Sequence, residues 1–518
     1  MSTDINIGIK YASSDIVTKI IAVLAFLSIV TIGVSTEPFL GDETWHLQLA
    51  STIYQTGERP AFNPLLHHSD VGQLAYITDI LWHYGLVFFW KLTGGVSIIT
   101  AQLYNASYCL LLIIGVFLLT KELYGAEKGL NSVLVVLSVP MVPIFSVVLH
   151  FDIAVAALST FCLLMLARRR YFLTGIFLGL SFLMKRNVCL IVPAIIFLTL
   201  FDSKEGIKGW SKRFLLLLSP FVLILSPDAY FKIKNFGLNA WLLYPITPKQ
   251  FILDPLPFKT HNVENIPFVF YDVSNPLFDP TAIFTFFGPV FFTSLGLYLV
   301  IRNKKDDWFL IIPSASGLLL FSCLAFFGNF TPLLRYLTPL VPPLGILGSL
   351  GIASVNNRVV RAILIVGCVM QFAGALAYIY LQRKIPIEMK EVYTFVKNST
   401  PENARIMTPW GSQLAFYTGR ISHWTSYCCH REIEYLFWQA NEKETLEIMK
   451  SYGTNYILIE KVNIYDDSKV HHFGRYPNSF IKKIETFSSL KPIFENHAAT
   501  LWKIQEKIGS DTMTFQRK

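Results

Sequence analysis

The 518 residues include 53% hydrophobic and 15% charged side chains, and the mean hydropathy of +0.46 is too apolar for a soluble globular protein. A formal charge of +9 suggests nucleic acid when taken alone, but the lysines and arginines crowd into short loops between apolar runs, so the charge reports topology and no nucleic-acid partner is expected. Seven cysteines, most of them in apolar runs and two adjacent at Cys428 and Cys429, give no legible disulfide framework.

Residues 1 to 16 are polar and lead without a cleavage pattern into an apolar run at 17 to 35, which reads as a retained span. Directly after it comes Gly41-Asp42-Glu43-Thr44-Trp45-His46. The following apolar spacing (Leu47, Leu49, Ala50, Ile53, Tyr54) predicts an amphipathic helix along the membrane surface. Taken by itself, Asp42 reads first as the cap of that helix. On a helix His46 shares a face with Asp42, so a divalent ion held by Asp42, His46 and His150 is conceivable, although two ligands from one segment argue for it weakly.

Spans are expected near 97 to 120 and 130 to 149, followed by His150-Phe151-Asp152, which interrupts an otherwise apolar stretch reaching 167. An ionisable group at membrane depth costs about 3 kcal/mol or more unless paired, which makes Asp152 a functional candidate; a polar surface turn, or a cap for the next helix, accounts for it equally well. The runs 151 to 167, 171 to 184 and 187 to 201 are short, as helices are when they end inside a protein-lined cavity. Between the last two lies Lys185-Arg186-Asn187, cations on the side where few are expected unless something anionic is bound there or the turn is cytoplasmic.

A shorter apolar run at 214 to 228 precedes a loop from 229 to 281 rich in aromatics, among them Tyr230, Phe231, Trp241, Tyr244 and Tyr271, which suit either sugar stacking or an interfacial belt. Spans near 282 to 301, 308 to 327, 336 to 355 and 360 to 381 bring the total to about eleven, with Arg335-Tyr336 at the outer end of one, as a phosphate ligand or a snorkelling arginine. From 385 to 518 charge rises and apolar runs shorten, predicting a small soluble α/β domain behind a membrane domain of residues 1 to 384. With a cytoplasmic N-terminus, the basic loops at Lys121 and Lys128, Arg168 to Arg170, Lys204 to Arg213, Arg302 to Lys305 and Arg358 to Arg361 all fall in the cytoplasm. The loops 36 to 96 and 229 to 281 and the C-terminal domain then fall on the opposite side.

Together these residues resemble the GT-C membrane glycosyltransferases, closest to the superfamily of protein O-mannosyltransferases and the lipid A aminoarabinose transferase. The likeness runs through Asp42-Glu43 after the first span, Gly179 to Lys185, Arg335-Tyr336 before a proline-rich span, and the C-terminal domain. It implies a multi-pass protein of the plasma or inner membrane or the endoplasmic reticulum, with its site and C-terminal domain extracytoplasmic. The reaction it implies is transfer of a hexosyl or pentosyl group from a polyprenyl-phosphate or dolichyl-phosphate donor to a lipid, glycan or protein acceptor. Carried onto this sequence, Asp42 is the base, Glu43 lies beside it, Asp152 matches a second acid, and Lys185, Arg186, Arg335 and Tyr336 hold the donor phosphate. One departure is that the aminoarabinose transferase has a basic residue in a Glu-Lys-Pro stretch of its first outer loop, whereas His67, His68, Ser69 and Asp70 include none. A sugar carried on a lipid phosphate needs no nucleotide-binding domain, and no phosphate-cradling glycine loop is evident. The competing readings are a dolichol-pathway mannosyl- or glucosyltransferase, a transporter, which would need internal repeats not found in the sequence, and a non-catalytic scaffold.

Overall fold

Ser97 opens the helix α4 by accepting from the Thr100 amide at 3.4 Å, and the apolar sequence behind it carries the helix through Ile98–Tyr124. In the computed structural model, which describes residues 2–38, 41–68, 72–75, 79–201, 206–243, 296, 308–327, 334–382, 385–408, 411–424, 436, 440–461, 464–465 and 476–505, α4 belongs to the first of two units. Before it come α1 (Ser2–Gly33), α2 (Gly41–Thr56) and α3 (Leu81–Thr93). After it come α5 (Ala126–Ser138), α6 (Met141–Val147), α7 (Asp152–Ala167), α8 (Tyr171–Met184), α9 (Val192–Phe201), α10 (Gly206–Leu243), α11 (Trp308–Phe327), α12 (Val341–Ser354) and α13 (Arg358–Gln382). Leu112, Val116, Leu163, Val147, Ile346 and Leu347 meet in one buried cluster, so α4, α6, α7 and α12 share a core.

Among the described residues four helices are long and apolar enough to cross a membrane, Ile98–Tyr124, Gly209–Leu238, Arg335–Ser354 and Arg358–Leu381, or five if the pair α5 and α6 is one span. That pair replaces the single span expected at 130 to 149. Its two halves are bent by 72°, with Pro140 at the break, where the missing amide removes a helical hydrogen bond. The run expected at 214 to 228 is likewise longer, because α10 continues to Leu243 with a kink at Gly237 (φ 84°) and takes Tyr230 and Phe231 out of the loop where they were expected. The aromatics from Tyr244 to Tyr271, the span expected at 282 to 301, and Cys428 and Cys429 lie outside the described residues. The helix expected along the membrane surface does form as α2, but every residue from Glu43 to Ala50 is buried, so it is packed into the unit and does not float at an interface.

Gly175 and Gly179 let α8 and α10 approach closely. A Cβ at Gly175 would run into the Leu217 carbonyl, and one at Gly179 would stand 3.1 Å from Ile224. Small residues four apart thus fix α8 against α10, and with it the position of everything after Met184.

The second unit contains Phe62–Ala75 and Ile385–Lys518. Its strands are β1 (Phe62–His68), β2 (Gly72–Ala75), β3 (Arg405–Thr408), β4 (Ile421–Trp424), β5 (Tyr456–Glu460), the short parallel pair β6 (Ile464–Tyr465) and β7 (Tyr476–Pro477), β8 (Leu490–Glu495) and β9 (Ala499–Ile504). Seven of them form one mixed sheet in the order β2-β1-β4-β3-β5-β9-β8, parallel across β1, β4, β3 and β5 and antiparallel elsewhere. All five residues of β5 are buried, as a central strand with both faces covered requires. The two-residue strand period sends Ile457 and Ile459 to a cluster with Phe480 and Ile484 of α17 (Asn478–Glu485), and Tyr456 and Leu458 to one with Val392 and Val396 of α14 (Ile387–Ser399). Between these helices in sequence lie α15 (Gly411–Thr418) and α16 (Glu442–Ser451), the latter closed by a capping box between Asn441 and Glu444.

Candidate active site

Helix α8 ends because three consecutive polar residues reach for three different elements. Lys185 adopts an extended backbone (φ −167°, ψ 135°), and the chain then turns through a 3-10 segment, Arg186–Ile191, into α9. The Lys185 ammonium donates to Asp152 Oδ1 at 2.7 Å, Arg186 Nε lies 3.4 Å from Asp79 Oδ1, and Asn187 Nδ2 donates to the Tyr336 carbonyl at 3.1 Å. A continued helix would point successive side chains about 100° apart around one axis and could not deliver them to α7, the segment before α3 and the 3-10 segment Leu334–Leu340 together.

Asp152 stands at the first residue of α7, yet its carboxylate does not cap the helix. It is fully buried, pairs with Lys185, accepts from Thr338 Oγ1 at 3.2 Å and contacts His150 Nδ1. Lys185 also lies 4.8 Å from the Tyr336 ring centre and 5.5 Å from that of Phe151, and the Arg335 guanidinium stands 5.9 Å from the Tyr336 ring centre. The same Thr338 hydroxyl, with one proton to give, also lies against the Arg335 carbonyl. Asp152, His150, Lys185, Arg335 and Tyr336, all singled out from the sequence, are therefore brought together.

Glu43 is fully buried and accepts from the Leu149 amide at 2.5 Å, so α2 holds the turn that presents His150 and Asp152. The side chain of Asp42 lies outside the described residues; its backbone falls inside the first turn of α2, one position past the helix start. Glu43→Gln keeps an accepting oxygen and should leave transfer within a few-fold of wild type, whereas Glu43→Ala strands a buried amide at about 1–3 kcal/mol and should lower both the melting temperature and activity. Equal melting temperatures for the two variants in detergent would contradict that anchoring role.

His46 lies at the centre of an aromatic nest. Its Nδ1 is 3.1 Å from His83 Nε2, and its ring centre stands 5.2 Å from His150 and 4.6 Å from Phe151. His46 Nδ1 and His150 Nδ1 are thus engaged with His83 and Asp152, and among the described residues no three His, Cys, Asp or Glu side chains are placed to hold an ion. The group expected at Asp42, His46 and His150 includes the Asp42 side chain, which lies outside the described residues.

Arg186 belongs to a second cluster, separate from Asp152. Lys232 Nζ, fully buried, lies 2.6 Å from Asp79 Oδ1 and 2.9 Å from Asp228 Oδ2, while Arg59 Nη1 donates to Asp228 Oδ1 at 2.8 Å and stacks 3.8 Å above Phe231. Burial alone would raise the Asp79 carboxyl, but the charges of Lys232, Arg186 and Arg59 outweigh it and hold the group below the usual carboxylate value. Arg59, Asp79, Asp228 and Lys232 were not anticipated. Arg59 sits in Glu58-Arg59-Pro60, a basic residue between glutamate and proline, the setting sought without success at residues 67 to 70. Asp228 and Lys232 are four apart on α10, a spacing that marks a pair once the helix is known to continue.

Burial, with Arg59 adding to it, pushes the His83 imidazole down to about 3. The unfolded chain takes up that proton near pH 6.5 and the folded one does not, so stability should fall as pH drops from about 6.5 toward 3, by up to about 1.4 kcal/mol per unit. Asp79, titrating below its ordinary value, adds to the loss only below about pH 5, so the comparison belongs above that pH. Melting temperatures at pH 7.5 and 5 should therefore differ more for the wild type than for His83→Gln, and equal differences would contradict the assignment.

Solved structures with a similar fold are GT-C glycosyltransferases. ArnT from Cupriavidus metallidurans in the apo state aligns with a TM-score of 0.62 over 95% of this chain and 98% of its own, at 13% identity. The same protein bound to undecaprenyl phosphate aligns at 0.59 over 96% and 99%, also at 13% identity. The chain has the GT-C fold. Archaeal oligosaccharyltransferase AglB from Archaeoglobus fulgidus, in complex with an inhibitory peptide and a dolichol-phosphate, shares this GT-C core at a TM-score of 0.60 and 13% identity, over 86% of this chain and 69% of its own. Residues 80–231 match the family model described as dolichyl-phosphate-mannose-protein mannosyltransferase, a stretch that runs from α3 through Phe231 and includes Asp152, Lys185, Arg186 and Asp228. No curated protein matches the chain by sequence.

Proposed function

We propose that this protein transfers a sugar, hexosyl or pentosyl, from a polyprenyl-phosphate or dolichyl-phosphate donor to an acceptor hydroxyl or amine on the extracytoplasmic side of its membrane. The observation that carries the reading is the break after α8, where Lys185 is delivered against Asp152, beside Tyr336 and Arg335. Two cations near a fully buried acid suit an anionic phosphate arriving from the bilayer, with Asp152 orienting Lys185. Asp42, one residue before the buried Glu43, takes the acceptor proton as the acceptor oxygen or nitrogen bonds to the anomeric carbon. The anomeric carbon to phosphate-oxygen bond breaks, and the lipid phosphate leaves with that electron pair, stabilised by Lys185 and Arg335. Arg186, held by Asp79 and Asp228, positions the break and the first outer loop.

The same reading has about eleven spans, a cytoplasmic N-terminus, a catalytic domain of residues 1 to 384 with outer loops 36 to 96 and 229 to 281, and an extracytoplasmic domain of residues 385 to 518. Accessibility labelling tests it. Single cysteines near Asn63, Lys259 and in the C-terminal domain should react with an impermeant reagent from outside, and those near Lys208 and Lys304 should not. Opposite labelling of the 208 and 259 sites would invert the topology and remove the outward-facing donor site. Transfer itself is read with a synthetic polyprenyl-phosphate sugar; turnover with a nucleotide sugar in its place would overturn the lipid-donor assignment.

A further inference from the structure

Helices α7 and α8 run between two polar centres. At one end lie Asp152 and Lys185; at the other, about 20 Å away by the rise of a helix of this length, is the turn Arg168-Arg169-Arg170. Beside that turn is a cavity of about 580 Å³ lined by Leu166, Arg169, Tyr171, Phe197, Trp308 and Ile312, contributed by the turn and by α7, α8, α9 and α11. Phe197 and Trp308 are exposed, so the cavity opens on the surface of the unit.

We propose that this cavity binds one anionic phospholipid, its acyl chain among Leu166, Phe197 and Ile312 and its phosphate against Arg169. Charge complementarity carries the choice of occupant. The walls are apolar, but the lining includes Arg169, Arg170 follows it in the turn, and Arg213 lies 5.6 Å from the Tyr171 ring centre, while Arg168 is paired with Glu122 at 2.8 Å. Basic pockets between membrane helices on the cytoplasmic side recognise anionic headgroups, and Trp308 and Tyr171 have the amphipathic rings found at headgroup level. The backbone adds a second reason. α7 ends with the Arg170 amide donating to the Met165 carbonyl at 2.8 Å and the Arg169 amide to Leu166 at 2.9 Å, a closure that usually places glycine at the second position. Here that position is Arg169 (φ 56°), the one non-glycine residue with positive φ among the described residues. A guanidinium is kept where glycine would fit without strain.

Which leaflet supplies the lipid rests on the orientation proposed above, but binding does not. The test is native mass spectrometry of the full chain in detergent, with phosphatidylglycerol and phosphatidylcholine added in equal amounts. The wild type should retain one phosphatidylglycerol in preference to phosphatidylcholine. Arg169→Gly, which suits the backbone, should lower that preference roughly fivefold, the effect of one surface cation, without lowering the melting temperature. Ile312→Trp should fill the cavity and reduce retention of either lipid. Equal retention of the two lipids by the wild type, or an unchanged preference in Arg169→Gly, would overturn the proposal. If cysteine labelling inverts the topology while the phosphatidylglycerol preference persists, the pocket stands and only its leaflet changes.

Discussion

Replacing Asp42 with asparagine is expected to lower sugar transfer about 100-fold or more while leaving the protein folded in detergent, since removing a general base typically costs that much. The expectation rests on position: Asp42 is in the first turn of α2, and its neighbour Glu43 is fixed to the Leu149 amide, so α2 cannot rotate without losing a buried hydrogen bond. Asparagine is nearly isosteric and suits a helix first turn, so a large loss of activity with an unchanged melting temperature would separate chemistry from folding. Wild-type turnover by purified Asp42→Asn would remove Asp42 from the reaction and shift attention to Asp152.

The second large effect concerns the cations. Lys185→Gln and Arg335→Gln should each raise the donor concentration needed for half-maximal transfer roughly 10-fold to 100-fold, leaving acceptor dependence close to wild type, since a charge-assisted hydrogen bond contributes about 1.5–3 kcal/mol. Arg186→Gln should behave differently. Its partners Asp79 and Asp228 keep Lys232 and Arg59, so the loss should show as a lower melting temperature more than as a donor-specific defect. Lysine at 335 should not restore donor use fully, because it lacks the planar fork. If Lys185→Gln and Arg335→Gln keep the wild-type donor dependence, the pair serves only to neutralise Asp152, and the phosphate is held elsewhere.

The break between α8 and α9 is readable because two apolar runs too short to cross flank Lys185, and because cations set between apolar runs demand a partner. His150 and Asp152 were readable for the same reason: a polar triplet inside an apolar stretch. What escaped was the Asp79, Asp228, Lys232 and Arg59 cluster. Hydropathy ends a span where charge begins, so the charged continuation of α10 reads as loop in the sequence, and the i, i+4 relation of Asp228 to Lys232 is hidden with the helix. Pairings such as Arg59 with Asp228 join residues far apart in sequence, and periodicity carries no information on them. The division of Lys185 and Arg186 between two acids follows from an extended backbone at one residue, which composition does not encode.

The sheet order has a consequence for how the chain matures. β1 pairs with β4 through Leu66 and Ser422, so a segment made early stays without its neighbour until the chain has been made through Trp424. Until then β1 and β2 form a two-stranded ribbon, which is marginal alone and offers a bare edge to other chains. A fragment starting at residue 385 would expose the matching edge of β4, so it should aggregate where the full chain does not.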